Sequence, residues 1–364
     1  MEDIHLKAKR DVFLDFMRGI AIYFVLWGHS IQYLACNDSF LDNLVFKAIY
    51  SFHMPLFMFL SGYTFYWSCK KRKLEYVLSS RLKGIAIPML VWGIISFVLS
   101  LRNEIPNSLL SIVKSIVSNC LEIWFLWAVL VSSVFVAVIY KSGIRMKTLK
   151  YSLMILSMVF IAILPRKNNI LFVYPYFIIG FVFSDKNVFS WDTYRKKEPI
   201  FLLIWLCLIP FYKRQHYIYT SGILPCGSEY GFWAQIGIDT YRYVVGLAGV
   251  LAVVYIARML YDRFREKKVT IVMEYAGIHS LDIYVMQRLL LEVLIAQTWP
   301  KVGGVWFSEH EIDSPFYCVI TTVCAVVCLI VLCFVSRQIE NSEMLSFVLF
   351  GRKSKYIENK QIFL

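Results

Sequence analysis

The feature that most limits what this chain can fold into is a succession of apolar runs close to bilayer length. Ten can be marked, at about 12–34, 44–67, 84–100, 121–140, 151–165, 170–184, 199–212, 240–257, 278–298 and 316–336. A helix needs about 20 apolar residues to cross the hydrocarbon core, and only helices or closed barrels satisfy their backbone there. The fifth to seventh runs are short, and Pro165, Pro175 and Pro210 predict ends or kinks. With 59% hydrophobic and only 17% charged residues, the 364-residue chain lacks the polar surface of a soluble domain. The expected fold class is therefore an all-α integral membrane bundle of about ten transmembrane helices.

The net charge of +13 suggests nucleic acid until its distribution is read. Of 38 Lys and Arg residues, 27 fall in the head and in alternate connections, eight in the other connections or at their edges (Arg242 at the rim of its run is counted here), and the remaining three (Arg18, Lys47, Arg288) within runs. That asymmetry is the positive-inside pattern. It predicts ten spans, both termini cytoplasmic, a multi-pass cell-membrane (inner or plasma membrane) location and no nucleic-acid partner. The first run follows a short basic head without a small-residue cleavage site, so a retained span is expected rather than a removed signal peptide. Residues 1–340 read as one membrane domain and 341–364 as a short basic cytoplasmic tail. Of nine cysteines, Cys318, Cys324, Cys328 and Cys333 lie in the last run and suit packing. No Cys or His spacing suggests a metal, and none is expected.

Ionisable side chains inside apolar runs are costly and usually face a bundle interior or a substrate path. Asp15, Arg18 and His29 share one stripe of the first run. Arg18 and His29 are eleven residues apart, about 16 Å along a helix. The blander alternative is a polar anchor plus one satisfied core histidine. His53 precedes Pro55, whose freed carbonyl could equally hold it in a structural hydrogen bond. Glu122 opens the fourth run, where a carboxylate could orient an imidazole. Arg288 and Glu292, at i and i+4, can pair as a packing device. Orientation sorts these groups into two layers. Asp15, Arg18, Arg81, Lys83 and Asp282 form an inner layer suited to an anionic ligand. His29, His53, Glu122, Arg288 and Glu292 form an outer layer suited to proton transfer. Tyr217, Tyr219, Tyr230 and Trp233, in the long connection 213–239, read first as interfacial belt anchors and second as a sugar-stacking surface.

The segment Phe13-Leu14-Asp15-Phe16-Met17-Arg18-Gly19, continuing to Trp27-Gly28-His29-Ser30, resembles the opening motif of the acyltransferase family 3 membrane proteins. Phe52-His53-Met54-Pro55-Leu56-Phe57 with Leu60-Ser61-Gly62-Tyr63 resembles that family's second-span motif. Trp124-Phe125-Leu126, Pro175-Tyr176-Phe177 with Gly180, and Ser280-Leu281-Asp282-Ile283-Tyr284 resemble later landmarks. The chain departs from the pattern at Arg81-Leu82-Lys83-Gly84, where the family often has two arginines three apart. It departs again at Gln287, near a position that is often histidine.

The resemblance implies a ten-span O-acyltransferase moving an acyl group, usually acetyl from acetyl-CoA as donor substrate, onto a sugar hydroxyl of a surface or lipid-linked polysaccharide, with no bound cofactor. It implies His29 as the catalytic histidine and Arg18 on the CoA side. Arg81 and Lys83 would join Arg18 at the donor, Glu122 would orient His29, and Asp15, His53, Ser61 and Tyr284 would support the site. The residues alone leave a second class open, a transporter or flippase of a glycan or lipid intermediate without covalent chemistry.

Overall fold

In the computed structural model, the described residues are 11–35, 37–101, 108–187, 198–295, 298 and 312–352. They form an all-α membrane fold, and no strand occurs among them. Helix α1 is Val12–Ala35, α2 Leu44–Lys71, α3 Leu74–Arg81, α4 Ile87–Ser100, α5 Leu109–Glu122, α6 Trp124–Lys141, α7 Lys147–Leu156, α8 Met158–Ile161 and α9 Lys167–Asp185. They continue with α10 Glu198–Leu208, α11 Ile218–Ser221, α12 Phe232–Phe264, α13 Lys268–Ile278, α14 Ser280–Gln287, α15 Pro315–Glu340 and α16 Glu343–Phe350. π-Helical turns at Leu82–Ala86 and Arg288–Ile295 join α3 to α4 and extend α14.

Among the described residues, six helical stretches are long and apolar enough to cross a membrane: α1, α2, the continuous Leu74–Ser100, α6, α12 and α15. The other four expected spans fall on α9, which carries Pro175 internally, and on shorter or interrupted helices. Two boundaries differ from expectation. Glu122 closes the amphipathic helix α5 rather than opening the fourth span, because the chain turns at Ile123 (φ −79°, ψ 52°) before α6. Helix α12 starts at Phe232, not near 240. Its early charges Asp239 and Arg242 pair with each other at i, i+3 (2.7 Å), so they do not interrupt the helix.

Local sequence sets the helix starts. Asn43 Oδ1 accepts the Phe46 N–H (2.9 Å) to cap α2, and Ser314 caps α15, with Pro315 following at the first helical position. Two crossings bring backbones into direct contact. A Cβ on Gly19 would overlap the Met273 carbonyl, and one on Gly277 the Asp15 carbonyl, where α1 meets α13. Gly62 and Gly180 do the same between α2 and α9, against the carbonyls of Phe177 and Phe59. Small residues at membrane helix crossings permit this approach and the dispersion contacts that hold such bundles. Val319, Val323, Val327, Ile330 and Phe334 of α15 are exposed, an apolar face suited to lipid.

The stretch expected as a tail contributes α16, which lies against α4. Trp92 Nε1 donates to the Leu349 carbonyl (2.9 Å). Residues 353–364, the basic head at 1–10, Cys36, Arg102 and Lys301 lie outside the described residues.

Candidate active site

Two cavities with ionisable linings lie in the bundle beside α1. The first, about 390 Å³, is lined by Arg18, Ser61, Arg81, Phe125, Leu281 and Tyr284 among others. The second, about 370 Å³, includes His29, His53, Glu122, His216, Tyr217 and Tyr284. Tyr284 is the residue that lines both. Its ring packs on Phe125 (centroids 5.3 Å), and Phe125 packs on Phe57 (5.6 Å). Along α1 the cavities are separated by the three turns between Arg18 and His29. An aromatic cluster thus stands between a cavity of cationic character and one of imidazole character.

In the arginine cavity, Arg18 Nη2 donates to Thr64 Oγ1 (2.8 Å), and Asp15 lies 3.6 Å from Arg18 Nη1. Arg81 stands over the Phe65 ring (4.6 Å) within the electrostatic reach of Arg18. Among the described residues no carboxylate pairs with Arg81. Two guanidiniums beside one buried carboxylate make a site with excess positive charge, matched to a phosphate-bearing ligand. Ser61 lines this cavity as expected. Lys83 does not: its side chain is exposed, and the residues that line the cavity around the π-turn are Arg81, Gly84 and Ile85.

In the histidine cavity, the His29 ring stacks near Tyr33 (5.7 Å), and its buried Nδ1 has no hydrogen-bond partner among the described residues. Gln32, whose Oε1 accepts the Tyr50 hydroxyl (3.1 Å), also interacts with the His29 ring. His53 Nδ1 lies 2.8 Å from the Ile49 carbonyl. A carbonyl only accepts, so Nδ1 carries the proton and, in the neutral ring, Nε2 carries the lone pair. The carbonyl used is that of Ile49, not the Ser51 carbonyl that Pro55 leaves without its donor. Glu122 shares the cavity with His29, but its carboxylate is engaged by Arg166, with Arg288 at 3.9 Å. Arg288 Nε also pairs with Glu292 (3.0 Å).

Asp282, expected at the inner layer, is fully buried away from the arginine cavity. His279 Nδ1 (3.0 Å), Ser336 (3.1 Å) and Arg352 surround its carboxylate, and Arg352 also pairs with Glu340 (3.0 Å). His279, Asp282 and Glu340 have the ligand types and spacing of a metal site. A guanidinium from beyond α16 already stands among them.

Sequence reading missed His216 and Arg242. Arg242, counted there as a connection charge, is fully buried and donates to the carbonyls of His216 (2.9 Å) and Gly222 (2.8 Å) and to Ser221 Oγ (2.6 Å). It thereby fixes the connection between α10 and α12 over the histidine cavity. Tyr217 and Tyr219 of that connection face the cavity, whereas Tyr230 and Trp233 stay exposed. The partners of Arg242 are mostly backbone oxygens 20 or more residues away, which leave no mark in a sequence.

These features define a helical membrane protein with two polar cavities, one cationic and one lined by histidines, sharing a single tyrosine. The acyltransferase family 3 domain model matches residues 11–335, and the chain belongs to that family. It is 30% identical over 231 residues to nodulation protein NolL of Sinorhizobium fredii, covering 59% of this chain and 61% of that protein. It is 29% identical over 184 residues to nodulation protein NolL of Mesorhizobium japonicum, covering 48% of each. The matches thus span about half to three fifths of these relatives' length. No solved structure matches the chain.

Proposed function

We propose that this protein is an acyltransferase of the cell membrane. It moves an acyl group, acetyl from cytoplasmic acetyl-CoA, onto a sugar hydroxyl of a surface or lipid-linked polysaccharide. The observation that carries the reading is the pair of cavities with opposite chemistry, joined through Tyr284, within a chain of this family.

In this reading Arg18 and Arg81 clasp the donor's phosphates, with Asp15 and Thr64 holding Arg18 in place. The arm bearing the thioester extends past Tyr284 toward His29, about 16 Å along α1. His29 accepts the proton of the sugar hydroxyl as that oxygen attacks the thioester carbonyl. The C–O bond forms, the C–S bond breaks, and the departing thiolate takes up the proton that His29 returns. An imidazole suits this exchange because its ordinary pKa, about 6.5, lies near working pH. His53 and Ser61 shape the two cavities, and Glu122 with Arg166 closes the side of the histidine cavity.

The test uses purified protein in nanodiscs with acetyl-CoA carrying a labelled acetyl group. His29→Ala should bind acetyl-CoA yet transfer label at least about a hundredfold more slowly, whereas Arg18→Ala should raise the donor KM at least tenfold. If His29→Ala transfers label at the wild-type rate, the assignment is wrong. If wild-type protein moves a lipid or glycan across the bilayer without acylating it, the protein is a transporter.

A further inference from the structure

Three histidines line the second cavity, and the mechanism above uses only two of them. His216 ends the 3₁₀ turn Arg214–His216, outside the apolar spans. Its Nδ1 accepts the backbone N–H of Lys213 (2.8 Å). A ring nitrogen that accepts holds no proton, so the proton of the neutral imidazole sits on Nε2. No protein group among the described residues bonds that Nε2, while the ring itself forms part of the cavity wall. Burial, helped by the Arg242 guanidinium and Lys213, pushes His216 down to about 4, so the ring is neutral at ordinary pH.

The turn that carries His216 is held on several sides. The His216 carbonyl accepts from Arg242 Nε (2.9 Å) and from the Tyr212 hydroxyl (2.9 Å), and the ring packs on Tyr241 (4.3 Å). Three of the neighbouring hydroxyl protons are committed within the protein. Tyr212 donates to His216 O, Tyr217 to Leu41 O (2.9 Å) and Tyr50 to Gln32 Oε1. Those tyrosines therefore offer the cavity rings rather than protons. His53 has the opposite assignment to His216, with its proton on the far nitrogen and a lone pair on Nε2. The cavity thus combines aromatic faces, one fixed N–H donor and one fixed acceptor, a set suited to a sugar, which presents apolar C–H faces rimmed by hydroxyls.

We propose that His216 is an acceptor-binding residue: its fixed Nε2–H donates to an oxygen of the acceptor sugar lying against Tyr212 and Tyr217, turning the reacting hydroxyl toward His29. This rests on the acyl-transfer reading. The backbone of Lys213 sets the ring proton, so the donor persists without any charge on the ring.

Two substitutions separate the halves of this arrangement. In His216→Asn the side-chain oxygen can still accept the Lys213 N–H, but no N–H reaches the place of Nε2. In His216→Gln the amide N–H reaches that place, and the contact to Lys213 is lost. Steady-state transfer of labelled acetyl from acetyl-CoA to the 4-nitrophenyl glycosides of glucose, galactose, fucose and N-acetylglucosamine would be measured with each. His216→Asn should raise the acceptor KM about tenfold, the loss expected for one hydrogen bond, with the donor KM within about twofold of wild type. His216→Gln should stay within about threefold of wild type for both. An unchanged acceptor KM in His216→Asn, or equal losses in the two variants, would overturn the assignment while leaving acyl transfer intact. Wild-type protein that acetylates none of the glycosides would sink the acyl-transfer reading, and this assignment with it.

Discussion

His29 and Arg18 are held very differently, and the difference decides what each substitution does. His29 is half-buried, and its Nδ1 has no hydrogen-bond partner among the described residues, so in the proposed mechanism it serves the chemistry rather than the packing. His29→Ala should cost about 10²–10⁴-fold in kcat, the usual contribution of a general base, while the purified variant elutes and unfolds like wild type. Arg18 is tied to Thr64 and Asp15, and its two-pronged geometry is part of the donor-binding role proposed for it. Arg18→Lys keeps the charge and loses the fork, so kcat/KM for acetyl-CoA should fall about tenfold with kcat for bound donor little changed. His216 adds a pH dependence. In the folded protein the ring stays neutral down to about 4, whereas the unfolded ring titrates near 6.5. The unfolded chain therefore binds more protons in that window, and stability falls as pH drops from 6.5 toward 4. Thermal unfolding in detergent at pH 7.5 and pH 5 should show a drop that His216→Asn reduces. An identical drop in the variant would place the titration elsewhere.

At the scale of helices, the backbone-to-backbone crossings fix where the motif residues sit. Gly62 lies one residue after Ser61 and about two and a half turns before the basic end of α2, and Gly180 meets it from α9. Neither carbonyl can move away from a new side chain without parting two helices. Gly62→Leu or Gly180→Leu should therefore abolish the monodisperse peak in detergent, whereas Gly143→Leu, in open space, should not. The apolar runs were legible because bilayer length and hydropathy are properties of the run itself. The ends were less so. Helix α5 hides its helical pattern among serines and Lys114, and α12 hides its start because Asp239 and Arg242 neutralise each other along one face. Lys83 looked equivalent to Arg81 by spacing, but the π-turn at Leu82–Ala86 rotates the chain there and leaves Lys83 on the surface. His216 had no local signal, since its partners are a backbone N–H and an arginine 26 residues later.

At the scale of the whole molecule, the end of the described chain closes on its middle. Arg352, just past α16, enters the buried group of Asp282, Glu340 and His279, which ties α14 to α15. Because α14 carries Tyr284, this closure holds the residue shared by the two cavities. Removing the cation leaves two buried carboxylates facing one another, at a cost of about 3 kcal/mol. Arg352→Ala should lower the midpoint of thermal unfolding, with Arg352→Lys intermediate; a wild-type midpoint in Arg352→Ala would show the closure to be dispensable. The central claim, that this architecture transfers an acyl group rather than moving a solute, is tested most directly by mass spectrometry of surface and lipid-linked glycans. The comparison is between cells expressing wild-type protein and cells expressing membrane-inserted His29→Ala. The account predicts an acetyl mass increment on a glycan with wild type and its absence with His29→Ala. Glycans of identical mass in both strains would contradict it.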